Sequence, residues 1–93
     1  MVFTVKSAKS IDFKQIRPDI RDLQSSLVEW RRRVHQKPEL AFEEQITSEF
    51  IQQKLQEWNI PYQGEIAQTG VVAIIESDCP GKVLAIRADM DAL

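Results

Sequence analysis

The sequence predicts an α/β chain in the order helix, helix, strand, strand, incomplete as a domain. Three observations carry that expectation. Ile16, Ile20, Leu23, Leu27, Trp30 and Val34 follow one another at spacings of 4, 3, 4, 3 and 4, which is one stripe of an α-helix. Ile46, Phe50, Ile51, Leu55 and Trp58 form a second stripe. After Pro61 the period changes. Two short runs follow, VVAIIE (71–76) and VLAIRA (83–88), rich in β-branched residues as strands covered on both faces are.

The first helix is expected over 18–36. Pro18 suits a first helical turn, and Asp19 and Asp22 place negative charge at the positive end of the helix. Pro38 forbids continuation and biases Lys37 away from helix. Glu39, Glu43 and Glu44 then lie where a new N-terminus favours anions. The second helix ends at Trp58, with Asn59 suited to the left-handed terminal position and Pro61 closing the element. The short link predicts a helical hairpin. Gly64 and Gly70 punctuate a loop. In SDCPGK (77–82), Pro80 and Gly81 fit the two centre positions of a type II turn, so the two strands are expected to pair antiparallel. Two helices cover only one face of such a sheet. The other face and both edges would be open.

Length and composition bound the function classes. A chain of 93 residues, 43% hydrophobic and 28% charged, fits a small soluble domain rather than a disordered segment. Residues 1–15 read as a loose lead-in, and MVFTVKSAKS lacks the apolar stretch of a secretory signal. The longest apolar run, Val71–Ile75, is too short to span a bilayer. Cys79 is the single cysteine, which excludes a disulfide framework and fits a reducing compartment. The expectation is a cytoplasmic protein without a membrane partner. Charge is uneven. Residues 1–37 hold nine Lys/Arg against four Asp/Glu, net +5, and residues 38–93 hold three against ten, net -7. The acidic half argues against a nucleic-acid surface.

The candidate sites are few. Arg31, Arg32 and Arg33 are consecutive, so on a helix they point about 100° apart and do not share a face. They are expected to complement the negative end of the first helix. His35 is the one histidine. It lacks a second His or Cys at ligand spacing and is expected to pack or hydrogen-bond in the turn between the helices. Cys79 lies in the Pro-Gly turn, with nothing nearby to activate its thiol. Asp89 and Asp91 are the best chemical signal. Residues two apart on a strand point to one side, and paired carboxylates need a cation, N–H donors or a shared proton. Both a metal-related site and a solvated strand end with an Asp turn fit that spacing.

RRRVHQKPELAFEE (31–44), TGVVAI (69–74) and LAIRADMDAL (84–93), in that order, closely resemble the start of the metal-dependent amidohydrolases of the aminoacylase, hippurate hydrolase and auxin-conjugate hydrolase type. These are a branch of the metallo-aminopeptidase-like superfamily, and the resemblance covers about residues 20–93. It implies an α/β/α-sandwich catalytic domain with a smaller lid domain inserted. This chain would supply the two leading helices and first strand pair, with residues 16–93 a truncated N-terminal segment and the lid absent. The family pattern continues past RADMDAL with a proline, so the chain is expected to be a fragment, inactive alone.

The resemblance also implies the chemistry. It is hydrolysis of the amide bond of N-acyl amino acids or similar conjugates, with divalent manganese or zinc activating water and a glutamate moving the proton. The family's metal ligands come from a downstream Cys-Gly-His segment, a glutamate and further histidines, none of which this chain holds. Cys79 has no such context. Asp89 falls where related branches place a metal-binding histidine, and Asp91 where they place the aspartate that orients it. The carry-over is therefore a supporting role, with Asp89 and Asp91 hydrogen-bonding metal ligands and Arg87 holding their charge. No catalytic, cofactor-binding or metal-ligating residue is expected in this chain itself. His35 and Glu39 belong to the family block and are expected to be structural. A non-enzymatic module, binding a partner through the helical hairpin and open strand edge, is the alternative function. Homo-oligomers are compatible with both.

Overall fold

The computed structural model describes residues 16–92. The elements are α1 (Pro18–Arg21), α2 (Gln24–Gln36), α3 (Gln45–Glu57), β1 (Tyr62–Ile66) and β2 (Gly70–Ala73). The lead-in expected over 1–15 lies outside the described residues.

The helix expected over 18–36 is divided. Pro18 opens α1 and Asp19 stands in its first turn, as the sequence predicts. The Leu23 N–H then bonds the Ile20 carbonyl at 3.1 Å, an i→i−3 step, before the Leu27 N–H resumes the regular ladder on Leu23. Such a tight step breaks a helix where no packing enforces a straight rod. Ile20, Leu23 and Leu27 are each about half exposed, so nothing among the described residues clamps that half of the stripe. The far end is as expected. Lys37 leaves the helix at φ −132°, ψ 74° before Pro38.

α3 ends in a motif its sequence announces. Asn59 takes φ 55°, the Ile60 N–H reaches the Leu55 carbonyl at 2.9 Å, and the Asn59 N–H reaches the Gln56 carbonyl at 3.1 Å. This crossed pair satisfies carbonyls that a helix C-terminus otherwise orphans. α2 and α3 meet antiparallel through side chains. The Trp30 and Trp58 rings lie 5.4 Å apart, and the Arg33 guanidinium sits 4.3 Å from the centre of the Phe50 ring, a cation–π contact. All three arginines are exposed, and Arg33 is the one of them that stacks on Phe50.

The sheet corrects the expected strand pair. β1 and β2 form an antiparallel hairpin, pairing Tyr62 with Ala73, Gln63 with Val72 and Ile66 with Gly70. β1 occupies the stretch expected to be loop, β2 ends three residues before Glu76, and 83–88 is not a strand. The type II turn is also absent, since no glycine among the described residues has positive φ. The physical reason is closure. A three-residue turn brings 62–66 onto 70–73 at little entropic cost, while joining 71–76 to 83–88 means ordering the longer 77–82 link. The strand signal in β1 is masked by Gly64 and by a register irregularity between Gln63 and Ile66, where Glu65 turns to φ 56°. Gly70 is required at the turn, because a Cβ there would stand 2.5 Å from the Ile66 carbonyl oxygen.

α3 lies on this hairpin. The Gln52 side chain covers Gly64, where a Cβ would meet its Oε1 at 2.8 Å. The Gln56 Nε2 donates to the Tyr62 hydroxyl at 2.7 Å. Phe50 is the one buried hydrophobic residue among those described. Glu44, Thr47, Ser48 and Thr69 are buried beside it, so the best-covered part of the structure is largely polar.

Both apolar runs lie open, with Ile75 of the first 81% exposed and Val83 97%, Leu84 83% and Ile86 73% exposed in the second. Expressed alone, the 93-residue chain is expected to bind a hydrophobic dye and self-associate. Dye fluorescence and size-exclusion chromatography check this. A monodisperse chain with a sharp thermal transition and no dye binding would contradict it.

Candidate functional site

The site is built outward from the start of α3. Glu44 is the N-cap residue, yet its side chain makes no capping bond. The cap comes from Glu39 instead. Its carboxylate accepts the Ile46 N–H at 2.9 Å, the Thr47 N–H at 2.8 Å and the Thr47 hydroxyl at 2.7 Å. These amides belong to the second and third helical positions, the donors an N-cap side chain ordinarily satisfies. Partial burial works against ionisation of Glu39. The hydrogen bonds from Ile46, Thr47 and Gln45 outweigh it and hold the carboxyl below its ordinary value. Pro38 stiffens the link that delivers Glu39 to this position, and Phe42 within it takes φ 67°.

Because Glu39 caps the helix, the Glu44 carboxylate is available for another partner. The Thr69 hydroxyl donates to it at 2.6 Å across 25 residues of chain, and both residues are buried. The bond fastens the β1–β2 turn to the start of α3. Ala67 and Gln68 in that turn have φ of 48° and 82°, a strained region for side-chain-bearing residues that persists only where the surroundings enforce it.

The segment carrying the expected site residues shares a hollow with this knot. Arg87 and Asp89 form an ion pair, with Nη2 donating to Oδ1 at 3.3 Å, and both side chains are well exposed. Arg87, Asp89 and Asp91 line an open hollow of about 530 Å³ that Glu44 and Thr69 also line. Asp89 and Asp91 also border a groove of about 420 Å³ with Trp30, Arg31 and His35. His35 itself is exposed on the last turn of α2. The fold thus gathers the aspartates, the histidine and the buried Glu44–Thr69 pair around one short stretch, although 83–88 forms no strand. Cys79 is exposed and apart from this cluster, its N–H bonded to the Ser77 hydroxyl at 3.1 Å. Among the described residues no three His, Cys, Asp or Glu side chains gather as a metal-holding group. Two carboxylates, one paired to arginine, are not a complete ligand set.

Curated relatives decide the family. The chain is 41% identical over 76 residues to a hippurate hydrolase of Campylobacter jejuni, covering 82% of this chain and 20% of the relative. It is 36% identical over 80 residues to an N-acyl-L-amino acid amidohydrolase of Geobacillus stearothermophilus, covering 86% and 22%. It is 51% identical over 63 residues to the IAA-amino acid hydrolase ILR1-like 6 of Arabidopsis thaliana, covering 68% and 13%. Over most of its length the chain is homologous to these amidohydrolases. It spans about one fifth of the length of the first two relatives. No family model and no solved structure matches it.

Two features of this segment escaped the sequence. Glu39 was expected to be structural, but its role as a cap reaching in from outside the helix depends on a loop path that spacing does not reveal. No local pattern in the sequence predicts the Glu44–Thr69 bond. Its one signal is that Glu44 and Thr69 fall inside two separate motif blocks, 31–44 and 69–74. Among the described residues no helix is long and apolar enough to cross a membrane.

A carboxylate held below its ordinary value stabilises the fold above its unfolded pKa, and the contribution disappears as pH falls through the lowered folded value. Glu39 therefore supports α3 at neutral pH and releases it in acid. Replacing Glu39 with alanine is expected to cost about 1 kcal/mol of helix stability. Far-UV circular dichroism across an acid titration checks both statements. The wild type should lose an increment of helicity on acidification that the Glu39→Gln variant lacks at every pH, and superimposable curves would contradict the cap.

Proposed function

We propose that this chain is the N-terminal part of an amidohydrolase that cleaves the amide bond of N-acyl amino acids or similar conjugates. The observation that carries the proposal is identity of 36–41% over more than four fifths of the chain to enzymes named for that hydrolysis. The whole protein would act on small-molecule substrates in the cytoplasm. Its catalytic domain would be the α/β/α sandwich of the family, with the lid inserted in sequence outside these residues.

Within that domain the described residues support the reaction rather than perform it. Asp89 and Asp91 would hold the ligands of a divalent metal, manganese or zinc, in orientation by hydrogen bonds. Arg87, already paired with Asp89, offsets the repulsion between two carboxylates two residues apart. The 93-residue chain alone is inactive on this proposal, because the groups that would bind metal and move the proton lie elsewhere in the sequence.

Release of free amino acid from N-acetyl and N-benzoyl amino acids, with added manganese or zinc, tests the proposal. The whole protein is expected to turn over at least one such substrate and the 93-residue chain none. A whole protein inert toward every N-acyl amino acid would overturn the assignment, and turnover by the short chain would overturn the supporting role of Asp89 and Asp91.

A further inference from the structure

Glu44 is a carboxylate that neither the helix cap nor the proposed chemistry employs, yet it is buried to 6% exposure and bonded to an equally buried hydroxyl. Burying a carboxylate is costly unless its bonds are good. A helix cap needs no such arrangement, since Glu39 already supplies it. The bond holds Thr69 at the end of a turn whose two preceding residues are backbone-strained. Glu44 and Thr69 line the same hollow as Arg87, Asp89 and Asp91.

We propose that Glu44 and Thr69 are positioning residues for the hydrolytic site: their buried hydrogen bond clamps the 67–69 turn as a rigid wall against which the Asp89–Asp91 segment is set. This rests on the amidohydrolase assignment and adds two residues to it. The clamp acts through placement. The Thr69 hydroxyl fixes the turn, the turn fixes the wall, and the wall limits where the backbone of 89–91 can lie. An uncertainty of about 1 Å in such a segment is enough to lower turnover by up to about a hundredfold without removing any reacting group. Substrate affinity need not change, because neither residue is assigned a substrate contact.

The test uses the whole protein, with rates normalised to the folded, metal-loaded fraction. Thr69→Val removes the hydroxyl and keeps the shape. Thr69→Ser restores the hydroxyl. The expected result is a fall in kcat of about tenfold or more for Thr69→Val, KM within threefold of wild type, and recovery of kcat in Thr69→Ser. Glu44→Ala should reproduce the kcat loss. Unchanged kcat in folded Thr69→Val overturns the proposal, as does a loss of activity accounted for wholly by a smaller folded fraction. If Thr69→Val does not fold, Glu44→Ala decides by the same readout. If neither folds, the bond is a folding element and the proposal fails. Failure of the assignment itself is separable, because the wild type would then show no N-acyl amino acid hydrolysis to modulate.

Discussion

Two carboxylates at the start of α3, Glu39 and Glu44, hold the described structure together. A helix N-terminus presents amides that must find acceptors. Here the acceptor arrives from outside the helix, as Glu39 takes the Ile46 and Thr47 N–H groups. The residue at the cap position is thereby released to bind Thr69, 25 residues away. One substitution of roles converts a local capping problem into a tertiary tie between a helix and a hairpin. The arrangement explains why the buried set is Glu44, Thr47, Ser48 and Thr69 with Phe50 as its single hydrophobic member among the described residues. With so little apolar burial, hydrogen bonds at a desolvated point carry much of the specification. Leaving either partner alone would expose the full cost of a buried polar group.

The rest of the geometry follows from that tie. α3 is held over the hairpin, close enough that Gly64 accommodates Gln52 and Tyr62 meets Gln56. The turn at 67–69 lines the same hollow as the segment that carries Arg87, Asp89 and Asp91. α2 is fastened to α3 by Trp30 on Trp58 and Arg33 on Phe50. That brings His35 to the border of the groove that Asp89 and Asp91 share. Residues from three motif blocks, separated widely in sequence, therefore surround the same short stretch.

Sequence alone was informative where a local rule sufficed. The ends of α2 and α3 follow from Pro38 and Asn59, each acting on its own backbone through fixed φ or the left-handed region. The family is legible in the order of three blocks, and curated relatives named as hydrolases bear it out. The strands were legible only by composition. VLAIRA has the residues of a buried strand but no hydrogen-bonding partner among the described elements, so β propensity without a neighbour produced no strand. β1 was hidden for the opposite reason. Its residues look like loop, with Gly64 and a bulge at Glu65, yet a close partner makes it a strand. Glu44 and Thr69 lay beyond sequence reasoning because neither is unusual alone. Their role exists only once the chain has brought them within 2.6 Å.

The tie between Glu44 and Thr69 is best measured by a double-mutant cycle on Glu44→Ala and Thr69→Val in the whole protein. The readout is native-state amide exchange in β2, which reports the opening free energy of the hairpin. A coupling of about 1–3 kcal/mol between the two positions is the predicted result for directly bonded buried partners. Additive effects, with a coupling near zero, would contradict the claim that this bond fastens the hairpin to α3.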